Sequence, residues 1–128
     1  MSYRILVSNG EIIDKFSILE IKFLKSIDPI KTQNIIKELN ELKPYFDIIT
    51  KEKFIYELYI QLKNINNELW LVEDNLRIKE NQSIFDRDFI DLARKVYILN
   101  DQRAKYKKEI NLISKSILIE EKLYPYES

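Results

Sequence analysis

An all-α fold is the architecture this sequence predicts: an antiparallel helical bundle with two long helices, two shorter ones, and a short N-terminal strand or extended arm. Three observations carry that expectation. Apolar residues recur at alternating three- and four-residue steps over long stretches. One glycine, Gly10, and three prolines leave few interruptions. Cap-forming Ser, Asp and Asn stand where the apolar pattern restarts. The chain of 128 residues is long enough for one hydrophobic core, so a single helical-bundle domain over residues 1–128 is expected.

Tyr3 to Val7 is a β-prone run closed by the turn signal Ser8-Asn9-Gly10. A lone strand needs a partner. With no second strand-like segment in the sequence, this run is expected to be irregular, to pair with another copy of itself, or to lie along the bundle as an arm. Ser8 or Asn9 then caps a first helix over about Glu11 to Ile27, with Glu11 and Asp14 where the helix dipole favours carboxylates. Asp28-Pro29 is a cap followed by proline at the first helical position, which opens a second helix expected to stop at Pro44. Thr50 is the candidate cap of a third helix, whose seam is Ile55, Leu58, Leu62, Ile65, Leu69, Val72 and Leu76. Asn81-Gln82-Ser83 breaks the pattern, and Ser83 with Asp86 resembles a capping box for a fourth helix running from about Ile84 to Lys122.

Composition excludes several kinds of chemistry. Cysteine and histidine are absent, which removes disulfides, thiolate- or imidazole-held metals and every Ser/His or Cys/His nucleophile, so no cofactor is expected. A single glycine leaves no place for a glycine-rich phosphate loop. Lys+Arg and Asp+Glu are 21 each, which argues against partners recognised by net charge, nucleic acid and anionic membranes among them. The first ten residues lack a signal-like apolar stretch, and the uninterrupted apolar runs are far shorter than a membrane span. A cytoplasmic protein is therefore expected. Glu38-x-x-Glu41 and Asp88-x-x-Asp91 pair carboxylates one turn apart, but no E-x-x-D follows Glu38-x-x-Glu41, the order expected of an all-α nucleotide pyrophosphatase. Metal-dependent hydrolysis is a minor option.

Polar residues interrupt the apolar seams in a pattern of their own. The seam of the fourth helix, Phe89, Leu92, Val96, Leu99, Tyr106, Ile110, Ile113 and Ile117, is a regular heptad series except that position 103 is Arg103. Asn100, Arg103, Lys107, Asn111 and Ser114 follow at steps of three or four and form a polar band on its flank. The third helix supplies Asn66, Trp70, Glu73 and Arg77 as a counterpart. On the first helix Glu20 falls inside the apolar arc, while Asp14 and Lys22 share the opposite side with Ile18 and Ile21. One reading is that Arg103 and Lys107 pair with Glu73 and Glu20 across the bundle and fix helix register, with Glu73 favoured for Arg103. The other is that these residues enclose a pocket in which Arg103 and Lys107 hold a phosphate or carboxylate. The tail Tyr124-Pro125-Tyr126 reads as a segment that packs on something, in this chain or another.

The run Gly10-Glu11-Ile12-Ile13-Asp14-Lys15-Phe16-Ser17-Ile18-Leu19-Glu20-Ile21-Lys22 resembles the opening signature of an uncharacterised family of small bacterial and viral proteins, domain-of-unknown-function family 6165. The similarity continues through Asn66, Leu69-Trp70, Glu73-Asp74, Leu92-Ala93-Arg94, Asn100-Asp101, Arg103-Ala104, Lys107 and Glu120-Glu121-Lys122. It thus covers nearly the whole chain. The resemblance implies a neighbourhood of glycosyltransferase and surface-polysaccharide genes for bacterial relatives, and it transfers no catalytic residue.

The expected function is non-catalytic: a small anionic ligand, such as a nucleotide, nucleotide-sugar or other phosphorylated compound, bound in a polar pocket between helices or subunits. A viral copy would act as a sponge for a nucleotide signal. Its expected site draws on Asp14, Glu20, Lys22, Asn66, Trp70, Glu73, Asn100, Arg103, Lys107 and Asn111. The alternative is a homo-oligomeric interaction module or glycosyltransferase adaptor, and a third is a small enzyme of chorismate-mutase-like design that stabilises charge with Arg and Lys. Self-association is expected in any case, since the arm lacks a partner and the helices carry apolar residues on more than one face.

Overall fold

The computed structural model describes residues 1–124 and contains four helices: α1 (Asn9–Lys25), α2 (Pro29–Ile49), α3 (Lys53–Asn81) and α4 (Arg87–Ile113). The predicted all-α bundle with two long helices is what is observed. The N-terminal strand is not. Residues 1–7 form no helix or strand and lie exposed, leaving the apolar side chains of Tyr3, Ile5 and Leu6 in solvent. A strand needs a ladder partner, and none is present among the described residues.

Helix ends differ from the sequence reading for identifiable reasons. Ser8 caps α1, its Oγ accepting from Glu11 N at 3.1 Å, and Asp28 caps α2 through two backbone N–H groups. Pro44 does not stop α2. It sits on the exposed side, as does Asn40 one turn earlier, so the carbonyl that proline leaves without a donor faces water. Continuing the helix brings Phe46 into the core, stacked on Phe16 with ring centroids 4.0 Å apart and edge-on to Tyr59 at 4.8 Å. Thr50 closes α2, its hydroxyl donating to Phe46 O at 2.7 Å, and Glu52 caps α3 instead.

The ends of α3 and α4 share one device. Ser83 and Lys115 take the left-handed conformation at φ 55° and 54°, and the next residue donates back to a carbonyl in the last turn. Ile84 N reaches Lys79 O at 2.9 Å, and Ser116 N reaches Asn111 O at 2.8 Å. These are Schellman closures with a side chain where glycine is usual. They explain why Ser83 is a helix end, leaving Asp86 to cap α4, and why α4 stops at Ile113 nine residues before the predicted Lys122. Beyond Ser114 the chain turns back along α4 as a strap. Of the predicted packing tail, Tyr124 is half exposed and Pro125 and Tyr126 lie outside the described residues.

α3 and α4 pair as an antiparallel hairpin, and α1 lies across them. Near the α1 crossing the core contains Ile13, Phe16, Phe46, Ile55, Tyr59, Leu62 and Ile110. Towards the hairpin tip a second core of Ile65, Leu69, Val72 and Leu99 comes from α3 and α4 alone. α2 packs mainly on α1 and buries a single residue, Phe46.

Candidate functional site

The residue that lets α1 approach α4 is Gly10. A Cβ there would run into the backbone carbonyl of Lys107 and touch Asn111 Oδ1, so a larger residue would push the helices apart. In this close contact Gly10 N donates to Asn111 Oδ1 at 2.6 Å. Asp14 and Ser17 follow Gly10 at steps of four and three and therefore also face inward; their exposures are 1% and 0%.

Asp14 is the centre of the resulting cluster. Arg103 grips its carboxylate with two bonds, Nε to Oδ1 at 2.9 Å and Nη2 to Oδ2 at 2.5 Å. Asn66 Nδ2 donates to Asp14 Oδ1 at 2.9 Å and to Ser17 Oγ at 2.8 Å, while Ser17 Oγ donates to the Asp14 carbonyl at 2.7 Å. Asn100 Oδ1 accepts from Arg103 Nη1 at 3.4 Å. One turn on, Lys107 Nζ lies 2.6 Å from Glu11, 3.2 Å from Glu120 and 3.9 Å from Asp14. Three helices and the strap thus meet at one charged centre.

The electrostatics follow from that geometry. The bonds to Asp14 raise the Arg103 pKa against partial burial, with help from the charges of Glu11 and Glu73. Burial opposes the charge on Lys107, but the bond to Glu11 and the fields of Asp14, Glu11 and Glu120 outweigh it and raise its pKa. For Glu120 partial burial works against ionisation, and the Ser8 hydroxyl at 2.5 Å together with Lys107 overcomes it, lowering the pKa. Two cations face three carboxylates. The carboxylates outnumber the cations, so the cluster carries no surplus of positive charge.

Of the residues expected to form the site, Asp14, Asn66, Asn100, Arg103 and Lys107 converge here, and Asn111 borders them through Gly10. The pairing proposed from sequence is corrected. Arg103 binds Asp14 and not Glu73, because α1 comes close at Gly10 and presents a fully desolvated carboxylate, whereas Glu73 contributes only its field. Glu20 serves Lys63 at 3.4 Å and accepts the Tyr59 hydroxyl, and does not meet Lys107. The Glu20 carboxylate and burial push the Tyr59 hydroxyl pKa well up, burial most. Lys22 is exposed, and Trp70 lies outside the cluster beneath Lys25, whose Nζ is 5.5 Å from the ring centroid. Sequence reading gave Ser8, Gly10, Ser17 and Glu11 no part in the cluster, and favoured a fraying helix end over a place in it for Glu120, which the bonds to Ser8 and Lys107 overturn. The lone glycine, in step with Asp14 and Ser17, was the signal for a buried polar stripe.

Among the described residues no three acidic side chains gather as a metal site, and no helix is long and apolar enough to cross a membrane. Over 57 residues the chain is 35% identical to a NifU-like scaffold protein of Plasmodium berghei (strain Anka), a stretch covering 44% of this chain and 24% of that protein. No solved structure matches. The family model described as a family of unknown function (DUF6165) matches residues 3–127, signature run and polar cluster included, and the chain belongs to that family.

Proposed function

We propose that the protein is a self-associating interaction module of the cytoplasm, in which the buried charge cluster fixes helix register and the unburied apolar faces bind a second copy. Surface area is the observation that carries this reading. The chain exposes 9565 Å², whereas a compact monomer of 15.5 kDa exposes about 7,200 Å². The excess, about 2,400 Å², exceeds what one partner contributes to a standard interface, about 800 Å². Part of it belongs to the exposed arm of residues 1–7, itself largely apolar. The extended strap contributes too, and apolar side chains of the helices are also exposed: Leu24, Ile27 and Ile30 at the α1–α2 corner are 78%, 98% and 76% exposed.

The charge cluster supports a bracing role. Arg103 and Lys107 already face Glu11, Asp14 and Glu120, so an anion placed on them would have to displace buried or bonded carboxylates. Light scattering at micromolar concentration tests the reading. A dimer or larger species is expected, with dissociation when Leu24 and Ile27 are both changed to Lys; a monomer at every concentration contradicts it.

A further inference from the structure

The strap and α4 form an open-sided cleft of about 360 Å³ that adjoins the Asp14 centre through Lys107 and Glu120, with Lys105, Lys108, Asn111 and Lys122 also among its walls. Its construction is unusual in two respects. Asn111 is 1% exposed, and its Oδ1 accepts the Gly10 N–H. That N–H can only donate, so the amide orientation is fixed and Nδ2 is left on the other side of the group. Nδ2 is fully buried and has no hydrogen-bond partner among the described residues. A buried amide without an acceptor is rare in a native fold and points to a bound group that accepts.

The lysines are the second feature. Three of them hold carboxylates: Lys107 with Glu120 at 3.2 Å, Lys108 with Glu121 at 2.9 Å and Lys122 with Asp101 at 3.3 Å. Lys105 makes no ion pair among the described residues, so the cleft carries one cation more than its own walls neutralise. Lys105, Lys108 and Asn111 follow at steps of three and lie along one side of α4. The Lys108–Glu121 pair is exposed at both partners, and such a pair exchanges at little cost.

We propose that this cleft binds a small multivalent oxyanion of the phosphate or polycarboxylate type, its oxygens accepting from Asn111 Nδ2, Lys105 and Lys108 as the Glu121 carboxylate swings out to solvent. The Glu121 carboxylate of the strap is then an internal surrogate for the ligand, holding Lys108 until the anion takes it over. The proposal stands independently of self-association.

Isothermal titration of the full chain with pyrophosphate, inorganic phosphate and citrate at constant ionic strength tests it, the three arms separating phosphate from polycarboxylate recognition. Saturable binding is expected for pyrophosphate or citrate. Lys105→Ala is expected to weaken it about tenfold, the scale of a hydrogen bond to a charged group. Glu121→Gln removes the competing carboxylate and is expected to tighten it, a direction that loss of a merely structural contact does not give. Both side chains are exposed, so these variants retain the fold, and Lys31→Ala on α2 controls for general charge. Asn111→Asp keeps the acceptor for Gly10, removes the orphan donor and is expected to abolish binding. No saturable binding by any of the three anions at millimolar concentration, or binding unchanged by Lys105→Ala and Glu121→Gln, overturns the proposal.

Discussion

The two halves of the α3–α4 hairpin are made from the same two helices and differ in one circumstance, the presence of α1. Where α1 crosses, Ile13, Leu62 and Ile110 are 0% exposed, and the polar flank of the hairpin becomes a buried network around Asp14. Towards the tip Leu76, Leu92 and Val96 are only partly buried, while Leu71, Ile78, Ile90 and Tyr97 face solvent. Two helices bury one face each and leave the others open; a third layer converts a flank into an interior. The tip therefore lacks what α1 supplies at the other end, and the proposed second copy of the chain would be the layer that completes it.

The largest expected effect is at the crossing. Asp14→Ala leaves the Arg103 guanidinium without its two acceptors and is expected to cost about 3–5 kcal/mol in denaturant unfolding. The double change Asp14→Leu with Arg103→Met is expected to recover much of that loss, since removing both charges leaves nothing unpaired. At the tip Leu76→Ala deletes a partly buried side chain, and its cost in the monomer is expected to fall below the roughly 2–5 kcal/mol of a fully buried leucine. Equal costs at Asp14 and Leu76 would break the distinction between the two regions.

Next in size is Gly10→Ala. Its Cβ meets the Lys107 carbonyl, so α1 and α4 must separate at the contact that positions Asp14, and a loss of about 1–3 kcal/mol is expected. Lys115→Gly works in the opposite direction. Relieving a lysine held at φ 54° is expected to stabilise the chain by about 1 kcal/mol in the same assay.

The smallest expected effect is a pH response of the strap. Glu120 has a folded pKa below its ordinary 4.5, so its contribution is present above that value and lost as pH falls through the lowered one. Lys107 has a folded pKa above 10.5, so its contribution is complete below that value and lost only as pH rises through the raised one. Strap attachment should accordingly be flat through neutrality and fail first in acid. Backbone order parameters of residues 116–124 are expected to stay constant through neutrality and to fall as the solution is acidified below pH 4.5.

The helices and their seams were legible because apolar spacing survives in sequence whatever the tertiary context. Ile55, Leu62, Ile65, Leu69 and Val72 are buried as their steps of three and four require. The break after α3 was legible at Asn81-Gln82-Ser83, but the start and the end of α4 were not, because Ser83 and Lys115 fill a left-handed position that sequence usually marks with glycine. Pro44 misled for a related reason: its cost depends on whether the freed carbonyl reaches water, which is a property of the packed face. The polar band on α4 was readable, but its partner was not. Partner choice depends on how closely two helices cross, and a wheel drawn for α1 alone put Asp14 with Lys15 and Lys22 on a polar side. Only the position of Gly10 encoded the close approach.

Hydrogen exchange followed as a function of protein concentration measures the central comparison most directly. The account predicts that amides at residues 13–17 and 103–111 exchange slowly at all concentrations. Those at residues 71–98 and in α2 are expected to gain protection as concentration rises through the micromolar range, because their open faces become an interface. Protection at residues 71–98 that is independent of concentration and equal to that around Asp14 would contradict it.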